Sequence, residues 1–420
     1  MKSEFSRNVF TLVSGTAIAQ FISIAASLII SRLYTPDDFG VFTIFISIAS
    51  LISLLLAGRY ELAINLPKSD NEGLNVLGLS IKLNLIISFF LFILSLLLFF
   101  IFDHFITDSN LLKKWLIFIP FIASFLNISN ILQNWLIRKK QFKLISYSKV
   151  INSVVNNGTV ILLGLFAFGA WGIFLGNMLG LLALVFFLGV LFYKNYRIDL
   201  KLINSKEMKL VAKKYIDLPK SNSFQSILDT FQIQGITYLM AFFFSNTIIG
   251  LYAMTLRILQ APLWFIISSI TQVFYQKATE LFNQGVDIKP LILETIKKTV
   301  VIALVLITGV MIFGPAAFAL IFGEEWREAG IYARILAPWI FLDFVRIPIS
   351  QVPIIVGKQK KQLSLSLISN LIVILSMLIA GLVLQEIRIG LILLSVFQSI
   401  YTIGIVIWIY SIANFKIKQS

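Results

Sequence analysis

The sequence predicts an all-α polytopic membrane protein: about 12 transmembrane helices in two pseudo-symmetric six-helix bundles around a central cavity. Three observations carry this. The chain of 420 residues is 58% hydrophobic and only 13% charged, with 38 Phe. Apolar stretches of about 20 residues recur, each long enough to cross roughly 30 Å of hydrocarbon as a helix. The 35 Lys and Arg concentrate in alternate gaps between those stretches, as short loops do on the cytoplasmic side of a membrane. In lipid the backbone must satisfy its own hydrogen bonds, so the spans are helices. The alternation of a lipid-facing barrel strand is absent.

The first span, 9–33, follows MKSEFSRN. It is too long for a signal-peptide core and lacks a small-residue cleavage site, which predicts an uncleaved helix. Thr35 suits an N-cap, Pro36 the first helical position, and Asp37 and Asp38 the positive end of the dipole. They announce the second span, 40–58, beside which Arg32 neutralises acids. The remaining spans are read at 74–102, 114–137, 146–168, 171–193, 221–244, 248–275, 296–322, 329–356, 363–385 and 390–413. An even number puts both termini on one side. Arg138-Lys139-Lys140, the run from Lys194 to Lys220, and Lys358, Lys360 and Lys361 make that side cytoplasmic. Few basic residues lie opposite, among them Lys113, Lys114, Arg327, Arg334 and Arg388.

The widest gap divides the chain into an N-terminal bundle (1–193), a basic amphipathic cytoplasmic linker (194–220) and a C-terminal bundle (221–420). In the linker Leu202, Met208 and Val211 are expected to rest on the membrane surface. The two halves echo each other. Pro120, Gln133 and Gly172 recur as Pro338, Gln351 and Gly390, all at an offset of 218. Six spans per half in one orientation imply parallel repeats about an axis along the membrane normal.

Composition also excludes chemistry. The net charge of +15 is the sum of positive-inside loops, not a nucleic-acid footprint. With no Cys there are no disulfides, thiolate metal sites or thiol catalysis, and the single His104 makes no metal site by itself. No phosphate-binding G-x-x-x-x-G-K-[ST] loop and no zinc signature occurs, so neither a cofactor nor ATP hydrolysis is expected. The outer acids, such as Asp103, Asp108, Glu324, Glu325 and Glu328, sit in short loops without a catalytic arrangement.

Polar residues mark the helices that open each half. Thr16, Gln20, Ser23 and Ser27 share one face of the first span. Asn222, Gln225, Asp229 and Gln232 share one face of the seventh. Arg257, Gln260, Trp264, Ser268, Thr271 and Tyr275 follow one face of the eighth, and Thr43, Ser47 and Ser50 one face of the second. Ser and Thr alone would be read as helix-packing groups; with Gln, Asn, Asp and Arg beside them, a water-filled cavity is the better reading. Charges at membrane depth are costly and mark substrate or ion paths. Asp229 lies about eight residues, roughly 12 Å, into its helix, with Arg257 as its partner. The pair reads either as a substrate- or cation-coupled switch or as a fixed ion pair holding two helices. Asp343 and Arg346, three apart, read as a structural ion pair. Arg59 and Glu61, two apart, are expected to point to different faces and to need separate partners. Arg59 either snorkels or meets an anionic head group, and Lys82 shares that ambiguity.

Arg32-Leu33-Tyr34-Thr35-Pro36-Asp37-Asp38-Phe39-Gly40, followed by Arg59-Tyr60-Glu61-Leu62-Ala63-Ile64 and Pro67, resembles the O-antigen and capsular polysaccharide flippases of the Wzx type. Those belong to the multidrug/oligosaccharidyl-lipid/polysaccharide exporter superfamily. The resemblance implies an alternating-access transporter, not an enzyme. It would move undecaprenyl-diphosphate-linked oligosaccharide across a bacterial inner membrane, with proton or sodium coupling, beside a polysaccharide polymerase and a chain-length regulator. By analogy with the related lipid II flippases, Arg59 and Arg257 would meet the diphosphate, with Arg32 a weaker candidate. Gln20, Gln225, Gln232, Gln260, Trp264 and Tyr275 offer surfaces for sugar, and Asp229 and Glu61 are the ion-coupling candidates. The rival readings are a multidrug or lipid II exporter of the same superfamily, and a membrane polymerase or ligase. At least as much Arg as carboxylate in the candidate cavity leans toward an anionic substrate.

Overall fold

In the computed structural model the described residues are 2–105, 114–197 and 199–413. Within them the side chains of 2–13, 101–105, 200, 221–225, 228, 229, 232, 233, 261, 262, 264–266 and 269 are left out of the description. The described residues contain no strand. Among the described residues twelve helices of 18 residues or more occupy the predicted spans. The first six are α1 (Lys2–Leu33), α2 (Pro36–Ser53), α3 (Asp70–Phe105), α4 (Ile119–Arg138), α5 (Phe142–Leu165) and α6 (Ala170–Tyr196). After the short α7 (Ser205–Lys214) come α8 (Ser223–Phe243), α9 (Asn246–Asn283), α10 (Lys289–Phe322) and α11 (Arg327–Ile349). A single turn, α12 (Val352–Ile355), leads to α13 (Gln359–Leu378) and α14 (Ile387–Ile412). Among the described residues nine of these are long and apolar enough to cross a membrane. The polar α5 is not one of them, because Lys149, Asn152, Ser153, Asn156 and Asn157 interrupt its hydropathy.

The chain forms two compact units, Met1–Thr237 and Tyr238–Ser420. Helix pairings repeat within them. In the first unit α2 and α3 pack on α4, α4 on α6, and α5 on α6. In the second α9 and α10 pack on α11, α11 on α14, and α13 on α14. These pairings recur six spans apart, but α1 also packs on α5, whereas among the described residues its counterpart α8 makes no comparable contact with α13.

Small residues decide how closely the helices approach. A methyl group at Gly176 on α6 would lie 2.3 Å from Val160 Cγ2, and one at Gly180 would lie 2.8 Å from Asn156 Cβ. The α5–α6 seam is therefore a row of glycines that admits the facing backbone, the packing lipid favours because apolar burial gives helices no preference for each other. Near the far end of that seam Tyr34 crosses from α1, its hydroxyl donating to Val160 O at 2.7 Å. In the second unit the counterpart contact is Gly390 against Ala380, and α10 meets α11 at Gly314, Pro315 and Gly330. The first unit's aromatic core joins Phe45, Trp115 and Phe174 with ring centroids 5.0–5.5 Å apart.

At the start of α2, Thr35 caps the helix with a reciprocal bond from Asp38, and Pro36 occupies the first turn. The linker departs from its expected place. Val211 is buried and Met208 half-buried against Leu74, Leu77 and Tyr60, so the apolar face of α7 packs on the first unit. Tyr215 donates to Glu72 at 3.0 Å, and Asn204 N–H to Asn75 Oδ1 at 3.1 Å. Of the three expected anchors, Leu202 alone is exposed. The start of α3 offers both an apolar wall and fixed polar partners in Glu72 and Asn75.

Candidate functional site

The segment that carries Arg59 and Glu61 is not a continuation of α2. That helix ends at Ser53, several residues short of the expected 58. Gly58 and Arg59 then take left-handed backbone angles, φ +56° and +62°. The first suits glycine; the second costs an L-residue about 1 kcal/mol or more. Tyr60–Asn65 follows as a tight 3₁₀ turn. These two reversals bring neighbouring side chains to one side, so Arg59 Nη1 donates to Glu61 Oε1 at 3.2 Å. The expectation of separate faces and separate partners is thereby corrected. It assumed helical spacing, and the backbone here is not α-helical.

The pair is deeply set and incompletely satisfied. The side chain of Arg59 is 17% exposed and that of Glu61 4%. Arg59 Nε and Glu61 Oε2 are buried and find no hydrogen-bond partner among the described residues. Burial pushes the Glu61 carboxyl above its usual range, against the opposing pull of its own backbone hydrogen bond and of Arg59. A half-used arginine beside a carboxylate inclined to hold a proton can exchange partners: an incoming anion takes the guanidinium while the carboxyl neutralises.

The turn is braced from two sides. Arg138, at the end of α4, donates to the carbonyls of Ile64, Pro67 and Ser69 at 3.1, 2.8 and 2.9 Å, and to Asp70 Oδ1 at 3.0 Å. Lys139 also pairs with Asp70. Tyr60 donates to Ala212 O on α7 at 2.9 Å. By charge pattern Arg138 looked purely topogenic; it is the clamp on this loop.

The polar face of α1 serves mainly as a helix contact. Lys149 donates to Thr16 at 3.0 Å, Ser153 to Ala19 O at 2.8 Å, and Asn157 to Ser23 at 3.2 Å. Ser27 is buried and donates within its own helix, whereas Gln20 is exposed. Thr16 and Ser23 thus take the packing role first set aside in favour of a water-filled cavity, because α5 presents a complementary row. That row, Lys149, Ser153 and Asn157 at steps of four, was available in the sequence as a periodic signal. On α2, Ser47 donates to Gln234 at 3.2 Å, and Asn127 of α4 donates to Ser53 O at 2.9 Å. Lys82 is exposed.

In the second unit Arg257 is half-buried on α9. Gln260, one turn on, lines a cavity of about 50 Å³ together with Asp343, Trp339 and Ile267. Arg346 Nε donates to Asp343 Oδ1 at 2.8 Å. Tyr275 lies 18 residues beyond Arg257 on the same helix, hence about 27 Å along its axis. The side chains of Gln225, Asp229, Gln232 and Trp264 lie outside the described residues.

Among the described residues no cluster of three or more His, Asp or Glu could hold a metal ion. A family model described as "Polysaccharide biosynthesis protein" matches residues 29–331. No curated protein matches the chain. Solved structures resemble it across nearly its whole length. An inward-facing multidrug resistance MATE family transporter of the MOP superfamily is 16% identical, with 96% of each chain covered and a TM-score of 0.66. An outward-facing conformation of such a transporter is 15% identical over 98% of this chain and 95% of that one, with a TM-score of 0.61. A MOP superfamily transporter from Pyrococcus furiosus, described as having a binding pocket of reverse polarity that suggests a different function, is 14% identical. It covers 99% of this chain and 97% of its own, with a TM-score of 0.61. At these identities the likeness establishes the fold.

Proposed function

This chain belongs to the polysaccharide biosynthesis protein family, and from that premise we propose that it is a lipid-linked oligosaccharide flippase. It moves an undecaprenyl-diphosphate-linked repeat unit from the inner to the outer leaflet of a bacterial plasma membrane, for O-antigen or capsule assembly. Both termini are cytoplasmic, as the distribution of Lys and Arg requires. A polysaccharide polymerase and a chain-length regulator are the expected downstream partners.

The observation that carries the reading is the buried, half-satisfied Arg59–Glu61 pair. A diphosphate cannot cross hydrocarbon unaided, and Arg offers it permanently charged, bidentate recognition. Arg59 engages the diphosphate in the first unit and Arg257 in the second, with Gln260 beside Arg257 for sugar hydroxyls. Gln20, Gln225, Gln232, Trp264 and Tyr275 are the further candidates for sugar contact. When phosphate draws Arg59 away, Glu61 loses its counter-charge and takes up a proton; Asp229 is the second coupling candidate, with sodium the alternative ion. The two six-helix halves alternate access to the site, while the polyprenyl tail remains in lipid. Multidrug export takes support from the names of the structural neighbours, but the family match and the arginines favour an anionic, sugar-bearing lipid.

Proteoliposomes with a defined polyprenyl-diphosphate oligosaccharide and a leaflet-selective probe test this. Wild type is expected to change the leaflet without changing the glycan, and Arg59→Ala to abolish that change. Normal transport by both Arg59→Ala and Arg257→Ala overturns the diphosphate assignment. A covalently altered glycan means a polymerase or ligase instead.

A further inference from the structure

A cleft in the second unit lies on the stretch of α9 that carries Tyr275, apart from Arg257 and Asp343. The tight turn after Asn283 closes α9 and α10 into a hairpin, yet above it the helices leave a cleft of about 780 Å³. Ile270, Val273, Phe274 and Lys277 follow one face of α9 at steps of three, one and three. Leu291, Glu294, Thr295, Lys298, Val301 and Ile302 follow one face of α10, with Lys297 at its edge. The walls are apolar and open: Val273 is 68% and Val301 64% exposed. The mouth is basic. Lys298 pairs with Glu294 at 2.7 Å, which leaves Lys277 and Lys297 as surplus positive charge. Thr295 is buried and spends its hydroxyl on Leu291 O at 2.8 Å.

We infer that this cleft is a binding site for an anionic phospholipid, its phosphate on Lys277 and Lys297 and one acyl chain along Val273, Phe274 and Val301. Apolar grooves between membrane helices with basic rims on the cytoplasmic side recognise anionic head groups. The lysines lie near the hairpin tip, Lys277 six residues before the end of α9 and Lys298 nine residues into α10. That is about 9 and 14 Å of helix, within snorkelling reach of the head-group layer. The sugar-bearing substrate is not the occupant, because the cleft's single hydroxyl is already spent and no amide or indole lines it. The inference takes only the membrane orientation from the proposed function and does not depend on what is transported.

The test is binding of phosphatidylglycerol to the full-length protein in detergent, followed by native mass spectrometry and thermal shift, with phosphatidylcholine as the neutral-headed control. Phosphatidylglycerol is expected to bind in preference to phosphatidylcholine. Lys277→Gln with Lys297→Gln, which leaves the Glu294–Lys298 pair intact, is expected to weaken it roughly 30-fold, from two surface lysines. Val301→Trp fills the cleft and is expected to displace both lipids. Equal binding of the two lipids by wild type, or unchanged phosphatidylglycerol binding in both variants, overturns the site. Displacement of phosphatidylglycerol by an equimolar polyprenyl diphosphate overturns the assigned occupant. A protein that binds phosphatidylglycerol here but does not move lipid-linked sugar leaves this inference standing and removes the flippase reading.

Discussion

Arg59 donates to Glu61 at 3.2 Å although only Tyr60 separates them. The contact exists because Gly58 and Arg59 both adopt left-handed backbone angles, which fold the side chains of 59 and 61 together. A motif that reads as the end of a membrane helix is in fact a buried turn between two helices.

The raised Glu61 carboxyl makes stability depend on pH. Its folded value lies above the ordinary 4.5, so the folded protein binds the proton more tightly than the unfolded chain. The contribution is therefore complete below pH 4.5 and is lost as pH rises through the folded value. Melting temperature in detergent, followed against pH, should show this fall in wild type and lack it in Glu61→Gln. Parallel curves for the two proteins would show that Glu61 titrates normally.

Backbone and guanidinium at position 59 can be separated. Arg59→Gly and Arg59→Ala both remove the charge, but only Gly accepts φ +62° without penalty. The Gly variant should be more stable than the Ala variant by about 1 kcal/mol, while both lose transport. Equal melting temperatures would argue that the turn relaxes when the ion pair is gone.

Arg138 makes four hydrogen bonds to residues 64–70, from the end of the 3₁₀ turn to the first residue of α3. Lysine keeps the topogenic charge but not the fork. Arg138→Lys should cost about 2 kcal/mol, from lost bonds to a charged donor, and expose residues 64–70 to limited proteolysis. A fully wild-type digestion pattern would reduce Arg138 to an orientation signal.

The glycine seam predicts a contrast. Gly176→Val drives a side chain into Val160 and Asn156 and should destabilise by about 1–3 kcal/mol. Gly189→Val, on the same helix with nothing within 4 Å of its added Cβ, should stay within about 0.5 kcal/mol. Melting curves of the two variants that coincide would mean α5 and α6 separate easily.

Asn157, Ser153 and Lys149 hold α5 to α1 through hydroxyls and a backbone carbonyl. Asn157→Ala should cost about 0.6–2 kcal/mol, the range for interhelical polar contacts in membranes. Loss of transport without loss of stability would instead assign Asn157 to the substrate path.

Much of the fold was legible residue by residue. Hydropathy located each long helix to within several residues, and Thr35, Pro36 and Asp38 announced the start of α2. The site was less legible. Arg59 and Glu61 stood out as charges beside a span, but their pairing depended on φ angles at Gly58 and Arg59 that side-chain periodicity does not report. Ser23 and Gln20 look alike in a stripe; one meets Asn157 and the other is exposed. Arg138 looked like any other cytoplasmic charge until four acceptors were found around it.

Helix number, the basic linker and the repeat at an offset of 218 were determined by the sequence alone. Water–lipid partition and the positive-inside bias act on each segment separately, so a linear reading captures them. Which polar groups join helices, which remain half-satisfied, and where α9 and α10 part to leave a cleft were decided only by the tertiary structure. Those are properties of pairs, and a pair forms only when two backbones bring distant residues within hydrogen-bond reach.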